Sequence, residues 1–217
     1  MRKIFIDGGA NKGQSTRAFL KQWPNSKEFE VYMFEPEPKG GILKTLENLE
    51  NKKTKLLPQA IWIYDGKITF YEKESGSEGN TLLKEKTSRE KRRYDKREVD
   101  CISLKDWIKE NFSKEDYIIL KLDIEGAEYE VMKDLDQSSI FEYIDLFFCE
   151  IHGLKCGKSY EESVELLDIC TKYSIVPYCW DGNTFNYKKY KNKIYTKEYL
   201  TSEYDKWKKR GLKWLYT

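Results

Sequence analysis

The sequence predicts an α/β fold: a doubly wound, mostly parallel sheet with an antiparallel C-terminal strand. Three observations predict it. Short apolar runs alternate with segments of helical spacing from residue 3 onward. The first run ends on an acid and enters a glycine turn, Asp7-Gly8-Gly9-Ala10-Asn11-Lys12-Gly13. The run Tyr117–Asp123 has the length and β-branched content of a central strand buried on both faces. No internal repeat or linker divides the 217 residues, so one domain is expected over 1–217.

The elements follow in order. Lys3–Asp7 reads as a strand and residues 14–23 as a helix in which Phe19 and Trp23 lie one turn apart, stopped by Pro24-Asn25. Residues 29–34 alternate as a second strand that ends in Glu35-Pro36-Glu37-Pro38. Ile42, Leu43, Leu46 and Leu49 give 39–51 a helical face. Residues 54–61 form a third strand, and Asp65-Gly66 is expected to turn a hairpin into Lys67–Tyr71. Loop composition then sets in, and residues 72–98 are expected as a basic excursion. From Lys84 to Arg97 eight basic residues face three acids. A solvated segment is the plain reading and a binding segment the alternative. Order resumes at Val99–Ile102, with Ser103 and Asp106 as a capping box for a helix carrying Leu104, Trp107 and Ile108. After Tyr117–Asp123, Glu125–Leu135 reads as helix, Asp145–Ile151 as strand and Tyr160–Tyr173 as an amphipathic helix with Val164, Leu167 and Cys170 inward. Residues 174–217 are expected as a hairpin, Ser174–Trp180 and Thr184–Tyr187 around Asp181-Gly182-Asn183, and a helix over 196–210 ended by Gly211.

Composition narrows the function. Lys and Arg number 39 against 37 Asp and Glu, a net charge of +2. That balance makes no general case for nucleic acid or an anionic membrane. Cys101, Cys149, Cys156, Cys170 and Cys179 are odd in number and form no CxxC pair, which fits reduced thiols in the cytoplasm. No signal peptide, membrane anchor or run near the ~20 apolar residues of a span is read.

Two constellations carry chemistry. The glycine turn departs from the dinucleotide spacing G-x-G-x-x-G, and Asp7 would repel a pyrophosphate. The same acid suits a ligand with an amino or sulfonium group. Glu35, 22 residues after Gly13 at the second strand tip, suits both hydroxyls of a ribose. Together they describe a site for a nucleoside with a cationic tail. The second constellation is Lys121-Leu122-Asp123-Ile124-Glu125-Gly126-Ala127-Glu128. Lys121 and Asp123 share a strand face, and Glu125 and Glu128 are expected on one side of the helix. Carboxylates gathered so closely raise at least one pKa and point to a general base, a metal site or substrate binding. His152, just past Glu150, is the sole histidine; deprotonating a hydroxyl near neutral pH is one role and structure the other.

These residues resemble the FkbM-type family of S-adenosylmethionine-dependent methyltransferases. The matching pieces are Phe5–Gly13, Phe34-Glu35-Pro36, Val99-Asp100-Cys101-Ile102-Ser103-Leu104 and Leu120–Glu128, in the family's order over roughly residues 4–152. The K-x-D-x-E-G-x-E segment is the most specific; Gly8, where an apolar residue is usual, is a mild departure. The resemblance implies a Rossmann-like methyltransferase fold and methyl transfer from S-adenosylmethionine to oxygen, a sugar, glycan or natural-product hydroxyl being the leading acceptor. It implies that Asp7, Gly9, Asn11 and Gly13 line the methionine part, with Gly8 and Ser15 also binding the cofactor. Glu35 would take the ribose, Gln59-Ala60 the adenine, and Asp123 would border cofactor and acceptor. Asp123, Glu125 and His152 are then the catalytic candidates, with Glu128 and Glu150 toward the substrate. A divalent metal on these carboxylates is compatible with the pattern, which does not itself point to one. A nucleic-acid methyltransferase using the 84–98 segment and a catalytically silent binding protein are the competing readings.

Overall fold

In the computed structural model, residues 1–36, 40–49, 52–73, 79–89, 94–180 and 185–209 are described. The chain runs β1 (Lys3–Gly8), α1 (Gln14–Gln22), β2 (Glu30–Phe34), α2 (Gly40–Glu47), β3 (Thr54–Leu57), β4 (Ala60–Trp62), β5 (Gly66–Glu72) and α3 (Lys84–Arg89). It continues with β6 (Asp95–Ser103), α4 (Leu104–Asn111), β7 (Tyr117–Leu122), α5 (Glu128–Gln137), β8 (Leu146–Cys149), α6 (Tyr160–Lys172), β9 (Pro177–Cys179) and α7 (Lys197–Lys209). Six strands form the central sheet in the order β3-β2-β1-β7-β8-β9, every neighbouring pair parallel. The strand order reverses between β1 and β7, the switch point where open α/β sheets bind ligands.

Strand alternation builds the two faces. Ile4, Ile6, Tyr32, Phe34, Leu120 and Leu122 pack with Leu104 and Ile108 of α4, Met132 and Leu135 of α5, and Leu166 and Cys170 of α6. Phe5, Val31, Met33, Ile119 and Phe148 pack on the other side with Phe19 of α1, Leu46 of α2 and Trp180. β7 is buried on both faces, as its composition predicts, and carries one charged residue, Lys121, at 0% exposure. Among the described residues no helix is long and apolar enough to cross a membrane.

The structure corrects several expectations. β9 is parallel to β8, because the chain crosses over through α6, and a helical crossover returns a strand in the same sense. The only antiparallel contact there among the described residues is an isolated bridge between Tyr178 and Ile194; the expected turn at 181–183 lies outside the described residues. Asp65-Gly66 does not fold β4 onto β5. Both strands pair with β6, β4 in parallel and β5 antiparallel, as a separate three-stranded sheet. β6 begins at Asp95 and α3 occupies Lys84–Arg89, so the described part of 72–98 is largely regular structure. Gly211 and the residues beyond α7 lie outside the described residues. α5 starts at Glu128 rather than Glu125, because Glu125 and Gly126 take positive φ values of 57° and 104°.

Candidate active site at the β1–β7 switch point

Asp7 and Lys121 are register partners on adjacent parallel strands. Both are fully buried, with Lys121 Nζ 3.0 Å from Asp7 Oδ1. Thr16 donates its hydroxyl to Asp7 Oδ2 at 2.7 Å. The Lys121 ammonium also donates to the carbonyls of Gly8 and Gly9, 3.0 Å each, and lies 3.5 Å from Asp123 Oδ2. Burial opposes the charge on Lys121, but Asp7 and Asp123 prevail and raise its pKa. One buried cation thus ties the glycine turn to the end of β7. Asp7 therefore faces this lysine and not a ligand, which corrects the expected role. Gly9 has φ 74°, and a Cβ there would sit 1.9 Å from the Asp123 carbonyl oxygen. The glycine lets two backbones meet, with the Gly9 and Ala10 amides both donating to the Phe34 carbonyl.

A cavity of about 370 Å³ opens above this junction. Gly9, Asn11 and Ser15 line it from the first turn, Glu35 from the tip of β2, and Ala60 and Ile61 from β4. Asp123, Glu125, Glu150 and His152 line its other side. Gly8, Gly13 and Gln59, expected at the cofactor, are not among its lining residues. Glu35 is 7% exposed and accepts the Asn11 amide at 2.7 Å, which fixes its carboxylate beside the glycine turn.

Glu128 is a positioning residue, not the substrate contact expected for it. At 0% exposure its Oε1 accepts the Ile124 amide and its Oε2 the Gly126 amide, at 2.8 and 2.7 Å. It shapes the turn that carries Asp123 and Glu125. Its Oε1 also lies 3.0 Å from His152 Nδ1. The opposite nitrogen, Nε2, faces Glu125 and Glu150 at 3.5 Å and Asp123 at 3.8 Å. Burial alone would lower the pKa of His152, but Glu125, Glu128 and Asp123 push it up to about 10. The surrounding carboxylates thus favour the protonated imidazole, whereas a general base near neutral pH needs the neutral one.

The carboxylates differ in turn. Burial would raise Glu125, yet His152 and Lys86 hold it down at about 2. Burial raises Asp123 against the pull of Lys121 and His152. Burial, with Asp123 and Glu125 adding to it against His152, pushes Glu150 up to about 7. Asp123, Glu128 and His152 bring ligand-type atoms within 4.8 Å of one another. As arranged, Glu128 already accepts two backbone amides and its Oε1 lies 3.0 Å from His152 Nδ1, so two of the three groups are engaged with one another.

The sequence does not single out the residues of the remaining wall, and a binding role for 72–98 stands there only as the alternative. Phe70 of β5 and Gly79, Asn80, Thr81 and Leu82 also line the cavity. Thr81 donates to the Glu125 carbonyl at 2.8 Å. Lys86 is 1% exposed, donates to the Gly79 carbonyl and pairs with Glu125. A lysine inside a basic run carries no periodic signal, so only the fold places it beneath the site.

The model of the methyltransferase FkbM domain matches residues 7–174. Among solved structures, the methyltransferase FkbM from Methylobacillus flagellatus KT aligns with 18% identity and a TM-score of 0.39, over 65% of this chain and 30% of its own length. No curated protein matches the chain.

Proposed function

This chain belongs to the FkbM methyltransferase family, and we propose that it transfers a methyl group from S-adenosylmethionine to a hydroxyl oxygen of a sugar, glycan or related natural product. The observation that carries the reading is one cavity lined both by a nucleoside-type acid and by proton-handling groups. Glu35, held at the β2 tip, suits a ribose diol, since a carboxylate accepts hydrogen bonds from both hydroxyls. Asp123 at the β7 end offers negative charge to a cationic tail. When bound, the cofactor supplies an electrophilic methyl group on a sulfonium.

The chain's own residues then orient and deprotonate. Glu150, tuned to about 7, is the group best matched to removing a hydroxyl proton near neutral pH. Asp123 and Glu125 beside it, from the loop after β7, raise its proton affinity, and His152 and Lys155, from its own loop, lower it. The His152 imidazolium, oriented by Glu128, lies 3.5 Å from Glu125 and Glu150 and offsets the repulsion between these carboxylates. Lys121 fixes Asp123 from behind. Such preorganisation is what an in-line displacement requires.

Two of the described basic residues of 84–97 are engaged within the fold, which counts against a nucleic-acid role for them: Lys86 pairs with Glu125, and Arg97 pairs with Glu72 and donates to the Pro36 carbonyl. Five unpaired cysteines, four of them buried, accord with a cytoplasmic setting. Calorimetry with S-adenosylmethionine tests the premise. Saturable binding is expected, and no heat at millimolar cofactor would overturn the reading.

A further inference from the structure

A second cavity of about 180 Å³ lies beside the first. The two share Glu150, His152 and Lys155, which line both. Its far wall comes from Tyr195, Tyr199, Leu200, Glu203 and Tyr204. All five lie beyond residue 174, outside the stretch the family model matches. The family-matched part therefore supplies the reactive edge of this cavity, and the C-terminal segment supplies its shape.

That wall is firmly built. Tyr195 accepts the Ile151 amide at 3.0 Å, between Glu150 and His152, two of the three residues that line both cavities. The Tyr204 hydroxyl donates to the Ser159 carbonyl at 2.7 Å and shares a hydrogen bond with Ser163 Oγ at 2.9 Å. Gly153 passes so close that a Cβ would lie 2.6 Å from that hydroxyl. Tyr199 differs from these two. Its ring packs at 87° against Tyr195, 5.2 Å away, and stays 42% exposed.

We propose that this second cavity is the acceptor site and that it takes a neutral pyranose, stacked on Tyr199 with one hydroxyl presented to Glu150. This rests on the methyltransferase reading above. The C–H face of a pyranose is apolar with slightly positive hydrogens and matches the negative face of an aromatic ring. Its hydroxyls are donors that Glu150 and Glu203 can accept. Glu150 and Glu203 stand against His152 and Lys155, so the lining lacks the net positive charge that a sugar phosphate or nucleotide would call for.

The test uses the full chain labelled with 3-fluorotyrosine, with the Tyr199 fluorine resonance identified by its loss in Tyr199→Phe. The probes are the methyl glycosides of glucose, galactose and mannose, with glucose 6-phosphate and adenosine as controls. A saturable shift of the Tyr199 resonance with a neutral pyranoside is expected. No shift with any pyranoside, or a shift with the phosphate or nucleoside alone, overturns the proposal. Kinetics with whichever pyranoside accepts methyl give a second readout. Tyr199→Ala is expected to raise its KM about tenfold, with kcat nearly unchanged and cofactor Kd unchanged. An unaltered KM overturns the site and leaves the methyltransferase reading standing. A Tyr199 shift without any methyl transfer supports the site and counts against that reading instead.

Discussion

His152 Nδ1 lies 3.0 Å from Glu128 Oε1, and both side chains are shut away from solvent. The folded pKa of about 10 stands above the ordinary 6.5. The stability this pairing contributes is therefore fully present below pH 6.5 and lost as pH rises through about 10. Because the chain has one histidine, its Cε1 proton is a single resolved NMR signal. It is expected to keep its imidazolium position from pH 5 to 8 and to titrate near 10. A midpoint near 6.5 would restore His152 as a base.

On the proposed reading, Glu150 sets the pH dependence of turnover. Its folded pKa of about 7 lies above the ordinary 4.5. The rate should rise as pH rises through about 7, and Glu150→Gln should abolish that limb and cut kcat by roughly 10²–10⁴. The same shift costs stability, since the contribution of the protonated form is present below 4.5 and lost as pH rises through 7. Glu150→Gln should therefore raise the Tm at pH 8 by roughly 2–8 °C. An unchanged rate profile would assign the proton to another group.

The Asp7–Lys121 pair joins the two halves of the site. Lys121→Ala leaves Asp7 buried without its cation and should cost about 3–5 kcal/mol in urea unfolding. Replacing both, as Asp7→Ala with Lys121→Met, should recover part of that loss. Equal destabilisation by the double variant would mean that the pair does not act as a unit.

Glu35→Ala should weaken S-adenosylmethionine binding about tenfold or more by calorimetry, removing the acid from the β2 tip. Glu35→Gln keeps an acceptor for the Asn11 amide and should recover part of the affinity. Wild-type affinity in Glu35→Ala would place the ribose elsewhere.

Patterns confined to one segment were legible. The strand-turn-helix at 3–13, the acid at Glu35, the buried strand Tyr117–Leu122 and the Asp123–Glu128 cluster all declare themselves by local spacing. Roles set by pairing across the sheet were not. Asp7 reads as a ligand contact until the register places it beside Lys121. Glu125 and Glu128 read as one helix face until the positive φ at Glu125 turns them apart, one into the cavity and one beneath it. Lys86 and Tyr199 carry no motif, since one sits in a charge run and the other in a Lys- and Tyr-rich helix. Only tertiary structure brings them to Glu125 and to the shared edge at Glu150.

The most direct measurement is methyl transfer itself. The full chain is incubated with methyl-labelled S-adenosylmethionine and a panel of pyranosides, phenols and single-stranded RNA, and products are read by mass spectrometry. One labelled methyl on a pyranoside hydroxyl is expected, with Glu150→Gln strongly impaired. Label on RNA or a phenol alone would contradict the acceptor class, and cofactor binding with no label on any acceptor would contradict the enzyme.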